Sequence, residues 1–272
     1  MAAREDDLRT ALEQRFKGDR SGACIAAAVI ENSATAQAYF CAHAKPERSI
    51  DERTAFEIGS VTKTMTAALL AEIIGRGEIA IDDPLAELLP PGMNVPSFNG
   101  IHITVGNIVT HTSGLPSFPW RTTDMSNPYA HLTEADLLDA LAKTQLKRAP
   151  GSQREYSNFA LMVLSYALAK HSGSDFETLL RERLLSPLGM SDTYIAKRPP
   201  NVHLAQVTSP TPCPRGRGIS LLTWPASAAC AQPCPTWYAT SKASSARAIV
   251  GSRRHWRRPN SKSPVSPAIR WA

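Results

Sequence analysis

The stretch FEIGSVTKTMTAALL, residues 56–70, decides the fold: Gly59 introduces Ser60, and Lys63 follows that serine by three. If a helix begins at Ser60, three residues is nearly one turn, so Ser60 and Lys63 share one side of its first turn and their side chains can touch. A serine hydroxyl is a poor nucleophile until a nearby base takes its proton. A lysine serves as that base only when its pKa falls well below the free value, and burial and the positive end of a helix both push it down. Val61, Met65, Leu69 and Ile73 recur at intervals of four, an apolar stripe predicted to bury the helix and leave its N-terminus at a cavity floor. Gly75 and Gly77 are predicted to end it. Taken alone the pattern is weak, since about one Ser-x-x-Lys is expected by chance in a chain of this length.

A second polar constellation raises its weight. In REYSNFALM, Tyr156 and Asn158 stand two apart just before a helical run, which in an extended loop places a phenol and an amide towards one cavity. A tyrosine near an ammonium group has its phenolate favoured and can relay a proton, while the asparagine can bond a substrate amide. The plainer alternative is a surface tyrosine beside a capping asparagine.

The chain's 272 residues, 43% of them hydrophobic, suffice for one large domain or two small ones. No apolar run reaches the eighteen or so residues of a membrane span, and MAAREDDLRTALEQRF reads as a charged amphipathic helix without the apolar segment of a signal peptide. After it, ACIAAAVIENSATAQAYFCAHA reads as a β-hairpin turning at residues 31–33. Cys24 and Cys41 lie equally far from its centre, so a symmetric register sets them opposite each other. A cross-strand disulfide and two buried thiols in a reducing compartment both fit. From Ser60 to Leu185 the pattern is mainly helical, with connectors at Asp82, Pro90, Asn127 and Pro150. FALMVLSYALAKHSG is predicted to end at Gly173 and DFETLLRERLLSPLG near Pro187, each apolar on one face.

The segments GSVTKT, IDDPLAELLP, ITVGNIVTHTSGLP, PGSQREYSNFAL and LLRERLLSPLGMSDT resemble the serine β-lactamase and penicillin-binding-protein superfamily. The resemblance runs from about residue 20 to residue 206 and is nearest to class C β-lactamases and related esterases and D,D-peptidases. It implies an α/β plus all-α fold, an antiparallel sheet flanked by helices with a helical domain. It implies an acyl-enzyme on Ser60, Lys63 and Tyr156 as the shared acid/base apparatus, and Asn158 as a substrate-amide contact and organiser of Lys63. Which of Lys63 and Tyr156 is the base stays open. The oxyanion would be held by the backbone N–H of Ser60 and one from a late strand. A β-lactam, peptide or ester is the implied small-molecule substrate; no cofactor or metal is expected, the protein is expected to be a monomer, and the family's place is the periplasm.

Family members carry a third motif, Lys or His, then Ser or Thr, then Gly, on a late strand. His111-Thr112-Ser113-Gly114 breaks that spacing, and His171-Ser172-Gly173 closes a helix. The remainder of the chain differs in composition: residues 1–192 carry a net charge of −6, whereas residues 193–272 hold 12 Lys+Arg and no acid. About ten acids would be expected there, and the segment also holds 11 of the 21 prolines and 4 of the 5 tryptophans. A basic arm binding nucleic acid around RRHWRR is disfavoured, because no nucleic-acid fold accompanies it. A pseudo-enzyme that binds peptidoglycan peptides or a partner without turnover is an alternative.

A third account is a change of reading frame. If each codon takes the third base of one residue and the first two of the next, residues 223–243 permit L-A-G-V-G-G-L-R-A-T-V-P-D-M-V-R-Y-L-E-G. That string resembles the family's glycine-rich turn and amphipathic helix. The expectation is therefore a β-lactamase-like catalytic region over residues 1–206, with 1–60 the first part of the α/β layer and 61–206 mainly helical. Residues 207–272 become an out-of-frame, poorly ordered tail, with the C-terminal part of the sheet domain missing, an exposed sheet edge and activity in doubt.

Overall fold

The computed structural model describes residues 5–31, 34–42, 49–118, 132–205 and 238–240. The connector at Asn127 and nearly all of the basic tail lie outside these residues. The first helix, α1 (Glu5–Arg15), carries acids in its first turn and an arginine in its last, which suits the helix dipole. It is followed by β1 (Cys24–Glu31) and β2 (Ala34–Cys41), paired antiparallel from Cys24 opposite Cys41 to Glu31 opposite Ala34. The alternation of a strand puts Ala36 and Ala38 of β2 on a buried face. Phe40 continues that face, its ring centroid 5.7 Å from Phe16 just beyond α1. Cys24 and Cys41 are joined by a disulfide, so the symmetric register predicted from the turn is the one adopted.

Among the described residues β1 pairs with β2 alone, and its outer half, Ala28–Glu31, is exposed, with Ile30 56% accessible. A second sheet has the order β6 (His203–Leu204), β3 (Thr54–Glu57), β7 (Tyr238–Thr240), β6 parallel and β7 antiparallel to β3. Ala55 of β3 packs with Tyr194 and Val202 in a small core of its own.

The larger core is helical and is organised by α5 (Asn158–Ser172), every residue of which from Asn158 to Ala169 is buried. The sequence predicts apolar residues on one face of this helix; instead it is enclosed all round. A helix apolar on every side, as FALMVLSYALA is, stays out of water only when neighbours cover the whole of its circumference. Here α2 (Thr62–Gly75), α3 (Val105–Val109), α4 (Glu134–Lys143) and α6 (Phe176–Leu180) contribute to that core, Leu69, Ile108, Leu141 and Phe176 among them. Each fully buried side chain of this kind adds about 1.5–3 kcal/mol. Ser157 caps α5 by accepting from the Ala160 N–H, and Gly173 ends it at φ +67, where a side chain would be strained. Thr104 and Thr133 cap α3 and α4 through reciprocal bonds with Asn107 and Asp136.

The mainly helical span contains a small hairpin, β4 (Ser97–Phe98) with β5 (Ile101–His102), which turns at Asn99-Gly100, both at positive φ. The helix predicted to run on to Pro187 widens after Leu180 into a π turn over Arg181–Leu185. No helix among the described residues is long and apolar enough to cross a membrane.

Candidate active site

The site is built where β3 gives way to α2. Gly59 takes φ +52, a value costly for any residue with a Cβ, and a single 3-10 turn over Gly59–Val61 separates the strand from the helix. Helix α2 thus begins at Thr62 rather than at Ser60, and Thr62 anchors the turn by donating to the Gly59 carbonyl at 2.6 Å. The buried face also differs from the predicted one: Thr62, Lys63, Thr66, Leu69, Leu70 and Ile73 point inward, while Val61 is 56% exposed. A spacing of four drifts about 40° per step around a helix of 3.6 residues per turn, so a stripe that ends buried at Ile73 begins in solvent at Val61. Lys63 stands on the buried side and Ser60 is exposed.

The opposite wall consists of two loops laced together by backbone bonds. Gly151 donates to the Thr112 carbonyl at 2.8 Å, Glu155 to the His111 carbonyl at 2.7 Å, and Phe159 to the Ser117 carbonyl at 3.2 Å. Ser157 Oγ donates to the Pro116 carbonyl at 2.7 Å. Gly114 is required here: at φ +78, a Cβ would also come within 3.3 Å of the Arg148 carbonyl. This lacing presents Tyr156, 42% exposed, to Ser60 across a sequence separation of 96 residues.

Three of the four residues singled out from the sequence meet directly. Ser60 Oγ and Tyr156 Oη share a hydrogen bond of 2.8 Å, and Lys63 Nζ donates to Ser60 Oγ at 3.1 Å. The same amine lies 4.6 Å from the centre of the Tyr156 ring. Burial pushes the Lys63 pKa below its ordinary 10.5, against the pull of Tyr156, which favours the charged form. The arrangement can pass the Ser60 proton to either neighbour.

Asn158 is the first residue of α5 and is buried, while Tyr156 is half exposed, so the two are not equally presented. The capping role that an asparagine could have taken belongs to Ser157. Asn158 Oδ1 has no hydrogen-bond partner among the described residues, which leaves a buried acceptor unsatisfied.

His111 is the residue that sequence reasoning passed over. It is buried, at φ +58, with its ring centroid 4.6 Å from that of Tyr156. Its Nδ1 accepts the Ser157 N–H at 3.3 Å. Burial, then the positive charges of Lys63 and Arg154, hold its pKa below the usual histidine value. Nothing local in HTSG signals this, because the contacts span about 45 residues of sequence and arise only when the two loops dock.

Ser60 thus stands at a strand-to-helix junction with a lysine one turn on and a facing tyrosine, on a sheet beside a helical core. The Beta-lactamase family model matches residues 9–250, and the chain belongs to that family. It is 38% identical over 153 residues to the D-alanyl-D-alanine-carboxypeptidase/endopeptidase AmpH of Escherichia coli (strain K12), an overlap of 52% of this chain and 37% of that protein. To a beta-lactamase of Pseudomonas fluorescens it is 34% identical over 178 residues, 63% of this chain and 46% of that one. The chain spans less than half the length of these relatives. Its fold is shared with a beta-lactamase/D-alanine carboxypeptidase from Yersinia pestis, with a TM-score of 0.66 at 23% identity over 86% of this chain and 65% of that one.

Proposed function

We propose that Ser60 is the nucleophile of an acyl-transfer hydrolase of the class C type. Its substrates would be β-lactams, D-alanyl peptides or related esters. The observation that carries this reading is the placement of Ser60 Oγ within hydrogen-bond reach of both Tyr156 Oη and Lys63 Nζ. The Ser60 proton passes to the Lys63–Tyr156 pair as Oγ bonds to the carbonyl carbon. The tetrahedral intermediate collapses by breaking the carbon–nitrogen or carbon–oxygen bond, and the pair returns the proton to the leaving atom. Water then hydrolyses the Ser60 ester. Asn158 takes the roles of substrate-amide contact and organiser of Lys63; its carbonyl oxygen, closed off from solvent and without a partner among the described residues, suits the second.

The related proteins named as carboxypeptidase and beta-lactamase support the substrate class, and the Cys24–Cys41 disulfide supports an oxidising compartment such as the periplasm. For turnover, the frame of the tail is decisive. The family match running to residue 250 favours the frame as read. The acid-free, proline-rich composition and the family-like string in the shifted frame favour a frameshift near Val207 that removes the third motif. Sequencing the locus decides between them.

A fluorescent penicillin tests the nucleophile. It is expected to label the purified chain covalently at Ser60, and Ser60→Ala is expected to abolish labelling. An acyl group found by mass spectrometry on another serine would sink the assignment. Reversible binding without a covalent product would favour the pseudo-enzyme reading, to which the missing third motif points.

A further inference from the structure

His111 brackets Tyr156. Its carbonyl accepts the N–H of Glu155 at 2.7 Å and its Nδ1 accepts the N–H of Ser157 at 3.3 Å, so the residues on either side of the tyrosine are both tied to this one histidine. Its own N–H donates to the Ile108 carbonyl at 3.0 Å, which fixes it to the end of α3. Between the two ties its ring lies against the phenol ring, 4.6 Å between centroids and tilted by 37°. The carbonyl tie could come from any residue. The side-chain tie requires an acceptor, and the ring contact requires an aromatic; of the ordinary side chains at a left-handed position, histidine supplies both.

We propose that His111 is the positioning residue of Tyr156: as a neutral imidazole protonated on Nε2, it holds the phenol ring in the orientation that points Oη at Ser60. This rests on the acyl-transfer reading only for its kinetic consequence. The tautomer follows from geometry, because Nδ1 must carry a lone pair to accept the Ser157 N–H. An imidazolium would lose that bond and face further positive charge, Lys63 from α2 and Arg154 from the 149–157 loop, beside the phenol of Tyr156. The Arg148–Glu155 ion pair flanks the same loop. Tyr156 should then lose its orientation at acid pH before Ser60 or Lys63 moves.

Two measurements on the full chain test this, one of which needs no activity. In the first, 15N and 1H NMR of labelled histidine follows the imidazole that shows a nuclear Overhauser contact with Tyr156. At pH 7 a neutral ring with its proton on Nε2 is expected, and the Tyr156 ring signals should shift when this histidine titrates. A ring protonated on Nδ1, a charged ring or the absence of the contact would overturn the proposal. The second uses His111→Asn, whose carboxamide oxygen replaces the Nδ1 acceptor and whose backbone tolerates positive φ, but which has no ring. It is expected to acylate Ser60 about tenfold more slowly with unchanged affinity for the non-covalent complex, and to lose the additional fall in rate that His111 protonation causes at acid pH, while the climb set by Lys63 stays. If the parent labels and His111→Asn matches it in rate and profile, the ring has no positioning role. If the parent fails to label, the acyl-transfer reading falls and the NMR result alone decides the positioning.

Discussion

At the scale of the residue, the proposed chemistry rests on an amine that burial has made easier to deprotonate. Lys63 has a folded pKa below 10.5, so the free amine becomes available as pH rises through that lowered value. Acylation of Ser60 should climb with pH with a midpoint below 10.5, and in Tyr156→Phe the residual rate should show a midpoint lower still, because Tyr156 raises the Lys63 pKa. A midpoint that stays or rises in Tyr156→Phe would contradict the contact. Both Lys63→Ala and Tyr156→Phe should slow acylation about a hundredfold or more, the scale of a positioned acid/base group, as read by stopped-flow labelling. The same lysine weakens the fold. Between its folded pKa and 10.5 the unfolded chain binds the extra proton, so this contribution lowers stability as pH falls across that window. Lys63→Met should therefore melt above the parent at pH 7 by roughly 2–4 °C per kcal/mol gained while losing acylation.

At the scale of the element, one buried carboxylate ties the helical core to the sheet. Glu177, in the first turn of α6, accepts the N–H groups of Ile195 and Lys197 on Oε1 and that of Ala196 on Oε2, at 3.0–3.1 Å, and Arg181 pairs with the same Oε1. The residue before this trio, Tyr194, packs on Ala55 of β3, the strand that leads into Ser60. Glu177→Ala would strand three N–H groups and should cost about 3 kcal/mol, seen as a lower denaturation midpoint in urea with an unchanged slope. Asp175 caps α6 by accepting the Thr178 N–H, and nothing in DFETLL signals that Glu177, two residues on, faces inward. The hairpin is the opposite case. Its symmetric cysteines set Cys24 opposite Cys41 but left bond and free thiols open; the bond closes a separation of 17 residues and should contribute about 3 kcal/mol, measured as the loss of stability on adding reductant.

At the scale of the whole molecule, the described sheet is short of partners. β1 pairs with β2 alone among the described residues and leaves Val29 and Ile30 exposed, an edge and an apolar surface of the kind that further strands would cover. A gene restored to the alternative frame near Val207 should give a protein that hydrolyses substrate with turnover and withstands more denaturant than the chain as read. Equal stability and equal turnover of the two would end the frameshift account. By itself the sequence determined what short-range chemistry can encode: the Gly59-Ser60-x-x-Lys63 spacing that sets serine and amine one turn apart, the hairpin register around residues 32 and 33, the glycine stop at Gly173. It also carried the loop that delivers Tyr156. Only the tertiary structure decided which face of α2 is buried, that α5 is enclosed all round, and that His111 and Ser157 meet across 46 residues to hold that tyrosine. The reason is physical: turn, cap and register energies depend on neighbours in sequence, whereas burial and loop docking depend on surfaces that exist only after distant segments have packed.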